Sequence, residues 1–278
     1  MIKLGLQSLS YKDAFAAGRM DVDRFLDHAA ELRLDGVDLH VRHLDRTDDE
    51  SLERLRLRSL RLGLPIGYLG VSNDFGRQGE ELEAQIRRVQ EWVDVAVRLR
   101  VPMVRVFGAW VRGGATEEEV WPRLVAASRR VTAYARERRV LLGLQNHNHG
   151  CIPATGAQTL RLLDAVDDPY FTHILDTGQY RGSPGASGAG GIADPEHDLY
   201  ESIRASAPRA VHVRAKIYRI ASGREEWLDY PRILAILRDV GFNGWMSIVY
   251  EGQEAEPEEA AVPRAVRYLR ALLREFDL

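Results

Sequence analysis

A closed (β/α)₈ barrel of the α/β class is the fold this 278-residue sequence predicts, on three observations. Short apolar runs alternate with amphipathic helical patterns from end to end, as a parallel sheet with crossover helices requires. Eight runs can be counted, and most are continuously apolar, as strands buried on both faces should be. Their polar residues gather at the carboxyl ends, the face on which this fold carries its sites. The length suits one barrel of about 250 residues, and no linker divides it, so residues 1–278 are expected to form a single TIM-barrel domain.

In chain order the strand runs are IKLGLQSL (2–9), GVDLHV (36–41), LPIGYLGVS (64–72), PMVRVFG (102–108), VLLGLQNH (140–147), FTHILDT (171–177), AVHVRAKIY (210–218) and WMSIVYE (245–251). The helices between them have readable ends. Residues 21–34 place Val22, Phe25, Leu26, Ala29 and Leu32 on one stripe. Asp48 and Asp49 put negative charge at the start of a helix that stops at Gly63. Residues 79–100 carry a second apolar stripe, from Leu82 to Val97. Thr116 and Glu119 form a capping box for a helix running to about Arg139, with Pro122 inside its tolerant first turns. Residues 156–166 form another. Asp194 followed by Pro195 predicts a cap and first helical position for a helix reaching Ser206. Residues 229–240 and 257–276 complete the alternation. The glycine-rich stretch 181–194 follows the sixth strand and reads either as a surface loop or as a lid over the carboxyl face.

Composition excludes several classes. A formal charge of −3 with 45% hydrophobic residues gives no reason to expect nucleic acid or a membrane as partner. A single cysteine, Cys151, rules out an intrachain disulfide framework. No run approaches the roughly 20 apolar residues of a membrane span, and MIKLGLQSLS lacks a signal-peptide pattern, so a cytoplasmic location is expected. Only Lys3, Lys12 and Lys216 among 38 basic residues are lysine, which makes the lysine on the seventh strand informative. Neither a phosphate loop nor a G-x-S-x-G nucleophile elbow occurs.

In a parallel barrel the strand ends share one mouth, so Gln145, Asp176, His212 and Glu251 are expected to meet there. Two carboxylates, an imidazole and an amide oxygen suit Mn²⁺, Mg²⁺ or Co²⁺ and tolerate Zn²⁺. At these residues the sequence resembles the xylose isomerase-like TIM barrels, a family of sugar phosphate isomerases and epimerases. QNH at 145–147 is similar to the family's Glu-Asn-His, LDTG at 175–178 to its Leu-Asp-x-Gly, VHVRAK to its Val-His-x-Lys, and YEG at 250–252 to its end. The resemblance covers essentially the whole chain and implies that Gln145, Asp176, His212 and Glu251 hold the metal. Asp38 resembles a glutamate near the substrate.

Gln145 departs from the pattern. The family's epimerases use glutamates on strands five and eight both to hold metal and to move protons; an amide offers an oxygen but is no general base near neutral pH. One-sided isomerisation or β-elimination therefore gains on two-sided epimerisation. His147, in phase with Gln145, and Lys216, in phase with His212 and Arg214, are the candidates for a second acid/base beside Glu251. Arg214, Arg105, Asp38, His40 and His149 are candidates for binding substrate, with Phe107 and Trp110 stacking on a ring or packing. His173 should face the helices.

The expected function is thus a divalent-metal isomerase or epimerase acting on a sugar, polyol or hydroxy-ketone through an enediolate, with a small carbohydrate-like substrate and homo-oligomers allowed. A lyase on the same scaffold and a non-catalytic sugar-binding or regulatory protein are the alternatives. DNA-repair chemistry of the same family, which needs many more His and acidic ligands, does not suit eight scattered histidines.

Overall fold

In a computed structural model, described over residues 1–185 and 191–278, the eight expected strands are Lys3–Gln7 (β1), Gly36–His40 (β2), Ile66–Gly70 (β3), Met103–Val106 (β4), Leu141–Gln145 (β5), Phe171–Asp176 (β6), Ala210–Ile217 (β7) and Trp245–Tyr250 (β8). They close into one barrel in the order β1-β8-β7-β6-β5-β4-β3-β2. Neighbours pair in parallel all the way round, which a barrel built from β-helix-β units requires.

Helices cover the outside at Val22–Glu31, Asp49–Arg61, Gly79–Leu99, Glu117–Glu137, Gly156–Val166, Leu199–Ser206, Tyr230–Asp239 and Glu258–Glu275. Their inward stripes, such as Phe25, Leu26 and Ala29 or Ile86, Val89 and Val93, are fully buried against the sheet. The Thr116–Glu119 capping box forms with both of its hydrogen bonds, Glu119 Oε2 accepting at 2.8 Å and Thr116 Oγ1 at 3.3 Å. One helix starts later than the sequence suggests. Asp194 instead closes a turn, accepting from the Glu196 amide at 2.9 Å, and Asp198 caps the helix by accepting from Tyr200 at 2.8 Å. The Asp-Pro pair marks a turn here because a second capping aspartate follows four residues on.

At the amino end of the barrel Trp245 forms the floor. Gly5 and Gly36 make room for it, since a Cβ at either would overlap the indole. A cavity of about 590 Å³ opens on that face, lined by Ile66, Met103, Leu141, Val211, His212 and Trp245. At the opposite end, a two-residue antiparallel ribbon between Ala109–Trp110 and Cys151–Ile152 ties the loops after β4 and β5 together. The sequence reading missed it, because two-residue strands carry no periodicity.

Candidate active site

The polar groups of the barrel interior arrange themselves in layers set by strand register. Asp176, the last residue of β6, lies beside Arg214 on β7, whereas His212 lies beside Ile174, two residues deeper. β7 is eight residues long, so the positions at its mouth belong to Arg214 and Lys216. The structure therefore does not bring His212 to the expected ligand set. Its Nε2 lies 3.0 Å from Asp38 Oδ2, both side chains being buried, toward the amino-end cavity.

The other groups do converge. Gln145 Nε2 donates to Asp176 Oδ2 at 3.0 Å, and Arg214 Nε donates to the same oxygen at 3.0 Å. Lys216 Nζ lies 3.5 Å from that oxygen and 2.9 Å from Glu251 Oε2. Asp176 Oδ1 accepts from the Gly178 amide at 3.1 Å, and Asn146 clamps the Asp176 backbone with both atoms of its amide. The orientation of Gln145 is forced, because turning its oxygen toward Asp176 would oppose two acceptors. Its Oε1 is left buried with no hydrogen-bond partner among the described residues.

Two carboxylates thus face two fixed cations. Lys216 is 1% and Asp176 0% exposed, while Glu251 keeps 30% of its side chain open at the mouth. Burial acts to raise the Glu251 pKa, but Lys216, hydrogen-bonded to it, together with Arg214 outweighs that and holds it at about 2. Burial likewise acts against the charge of Arg214, and the oxygens of Tyr68 and Asp176 hold its pKa above the ordinary range. Tyr68, whose hydroxyl accepts from Arg214 Nη1, is a site residue the sequence reading missed. It sits in the middle of β3, away from the polar strand ends that mark the mouth in the sequence.

Around this cluster lies a second set. Arg105 is 1% exposed, donates through Nη1 to the Val71 carbonyl at 3.0 Å and stacks its guanidinium 4.1 Å from the Phe107 ring. Burial, and then Arg214, pull its pKa down to about 9. No carboxylate is paired with it among the described residues. His147 is packed edge-on to Phe107 at 4.9 Å and tilted against Trp110 at 5.6 Å, forming a partly exposed aromatic wall. Its Nδ1 donates to the Asn148 carbonyl at 2.7 Å, and burial lowers its pKa to about 4, so at neutral pH its Nε2 is an acceptor. His40 hydrogen-bonds Arg42 through Nδ1 and Ser72 through Nε2, and burial beside Arg105 and Arg42 lowers its pKa to about 2. His149 is exposed, with a left-handed φ of 58°. Within the glycine-rich stretch, residues 186–190 lie outside those described, and the lid expectation falls partly on them.

The arrangement does not fit a divalent ion. Asp176 Oδ2 already faces three N–H donors, Glu251 holds an ammonium, Gln145 turns its nitrogen inward, and His212 sits two residues deeper. A dication about 4 Å from a fixed monocation would meet repulsion of about 8 kcal/mol at an effective dielectric near 20, twice the figure for two unit charges; from two such cations this cancels the attraction of Asp176 and Glu251 and leaves the dehydration of the ion uncompensated. Among the described residues the one His/Cys/Asp/Glu group within reach of a single ion is Asp194, Glu196 and His197, on the turn described above and apart from the expected ligands.

His173 lies behind the site, buried between the Leu144 carbonyl and the Tyr180 hydroxyl, both at 3.1 Å. Burial lowers its pKa to about 4. The unfolded chain takes up this proton below about pH 6.5 and the folded chain only near 4, so stability is full above 6.5 and falls as pH drops through that window. Urea denaturation at pH 7 and pH 5 should show a loss of about 2 kcal/mol from this residue, absent in His173→Gln. An unchanged pH dependence in that variant would refute the assignment.

Comparison with known proteins agrees with this architecture. The family model for the Xylose isomerase-like TIM barrel matches residues 26–272. Among solved structures, D-psicose 3-epimerase from Clostridium cellulolyticum H10, crystallised with D-tagatose, superposes with a TM-score of 0.78 at 15% identity over 97% of each chain. An L-ribulose 3-epimerase gives 0.74 at 17% identity over 99% of this chain and 94% of its own. The 3-keto-D-glucoside 4-epimerase of E. coli gives 0.74 at 16% over 98% and 100%. Comparison with curated protein sequences finds no significant match. Among the described residues no helix is long and apolar enough to cross a membrane. The match over nearly the full length, together with the closed parallel barrel, places the chain in the xylose isomerase-like TIM barrel family.

Proposed function

We propose that this chain is an enzyme that removes a proton from the carbon next to a carbonyl in a sugar or related hydroxy-ketone, the first step of a one-sided isomerisation or of a β-elimination. The observation that carries the reading is the placement of Glu251. It is the one carboxylate of the cluster with side-chain surface open to the mouth, it is held ionised, and it touches Lys216. The sugar epimerases that share the fold support the substrate class.

The chemistry follows from the geometry. A substrate carbonyl that accepts a hydrogen bond from the Lys216 ammonium loosens the Lys216–Glu251 pair, and Glu251 becomes more basic as it meets the α-proton. Phe107, Trp110 and neutral His147 offer the mixed aromatic and acceptor surface that suits a hydroxylated ring or chain. Arg105, buried without a carboxylate, favours a substrate with an acidic or electron-rich oxygen at that end. Gln145 cannot serve as a general base near neutral pH, which supports one-sided transfer over epimerisation.

A second reading, a sugar-binding protein without chemistry, is favoured by the same low Glu251 pKa, since a carboxylate held near 2 is a weak base. The two separate in one experiment. Neutral ketoses and hydroxy-keto acids are incubated with the protein in D₂O and followed by ¹H NMR. Deuterium entering at the carbon next to the carbonyl supports the enzyme; saturable binding of the same compounds without exchange supports the binding protein and overturns the first reading.

A further inference from the structure

We infer that this site works without a divalent ion, because the chain itself supplies the positive charge: the Lys216 ammonium and the Arg214 guanidinium occupy the place on Asp176 and Glu251 that a metal would need. This rests on the proton-transfer reading above for its chemistry, though not for its account of metal binding. Three independent observations converge on it. Lys216 Nζ bridges the two carboxylates, 2.9 Å from Glu251 and 3.5 Å from Asp176. Arg214 donates to the same Asp176 oxygen from the strand position level with it. Gln145 presents its N–H₂, a donor, where a ligand would present an acceptor.

The charges close without an ion. Two carboxylates, Asp176 and Glu251, are matched by two side-chain cations, Lys216 and Arg214, all but Glu251 fully buried. Adding a dication would leave that group strongly positive in a buried setting; removing a proton from Lys216 to admit it would still leave Arg214 in contact. The replacement is also coordinated. Changing glutamate to glutamine subtracts one negative charge, and a neutral amide can donate to Asp176 in a way that a carboxylate cannot.

The catalytic step balances on these groups alone. Glu251 takes the proton from the carbon, the C–H electron pair becomes the carbon–carbon double bond of an enediolate, and the carbonyl π pair moves onto oxygen. That oxyanion is held by the Lys216 ammonium, an electrophile whose position is fixed before substrate arrives. Isomerisation is completed when Glu251 returns the proton to the carbon that bore the carbonyl while Lys216 gives a proton to the oxyanion and regains one from the hydroxyl on the deprotonated carbon, where the new carbonyl forms; elimination is completed when the oxyanion pair re-forms the carbonyl, the enediolate pair becomes the new carbon–carbon double bond, and the β-substituent leaves with its bonding electrons. The unpartnered Gln145 Oε1 accepts a substrate hydroxyl.

The test is Mn²⁺ alone, titrated calorimetrically into the wild-type chain and into Gln145→Glu/Arg214→His/Lys216→Met, whose fold is verified by circular dichroism. The wild type should show no binding, and the triple variant should bind at least about 100-fold more tightly once the two cations are gone. Deuterium exchange by the wild type should be the same within about twofold in EDTA and in Mn²⁺. Stoichiometric Mn²⁺ binding by the wild type, or exchange that EDTA abolishes and Mn²⁺ restores, overturns the inference whether or not the triple variant folds. If no substrate exchanges at all while the wild type still binds no Mn²⁺, the built-in cations stand and the proton-transfer reading falls.

Discussion

Glu251→Gln should lower deuterium exchange by about 10²- to 10⁴-fold, the usual contribution of a positioned general base, while substrate affinity changes little. The amide keeps the size of the side chain and can still face Lys216 through its oxygen, so the geometry of the 2.9 Å contact is conserved and only the proton acceptor is lost. Lys216 retains Asp176 at 3.5 Å as a counter-charge, which limits the cost to the fold. Equilibrium dialysis and exchange rates measured on one preparation check both halves. A variant with more than a tenth of the wild-type rate would remove Glu251 from the proton path and leave His147, whose Nε2 is free of its proton at neutral pH, as the base.

How much of this site was legible depends on strand register. The barrel follows from runs such as LLGLQ and WMSIVY, because strands covered on both faces have no polar positions except at their ends, and the eight ends could be found one by one. Gln145, Asp176 and Glu251 stand where such a reading puts them. His212 does not, and the reason lies in β7. AVHVRAKI continues as strand for eight residues, and a register irregularity between His173 and Ile174 carries β6 past it. The apolar-to-polar step that marks a strand end elsewhere falls inside this strand, because its inward residues are polar throughout: His212, then Arg214, then Lys216. Sequence alone had no means of distinguishing a polar end from a polar interior. The same ambiguity hid Tyr68, whose role exists only because Arg214 crosses the barrel to reach it.

That run of polar groups on one inward face also gives Lys216 its expected weight in the folded state. Lys216→Met keeps the stem of the side chain and removes the ammonium, which leaves a carboxylate pair with Arg214 as its remaining cationic contact. Breaking a buried ion pair from one side costs about 3–5 kcal/mol; because Glu251 is 30% exposed, about 3 kcal/mol at pH 7 is the expectation from guanidinium unfolding. The sign of the pH dependence makes the cause identifiable. In the wild type Glu251 is held at about 2, below its ordinary 4.5, so its share of stability is present above pH 4.5 and is lost as pH falls through 2. In Lys216→Met burial acts on Glu251 with less opposition, its pKa rises, and it protonates earlier, so the gap between variant and wild type should narrow below about pH 4.5. Adding Glu251→Gln to Lys216→Met removes the stranded charge, and the double variant should be more stable than Lys216→Met alone by a measurable part of that penalty. A gap that does not change with pH, or a double variant no better than the single one, would mean that Lys216 acts by packing rather than by charge, and the built-in cation would lose its physical basis.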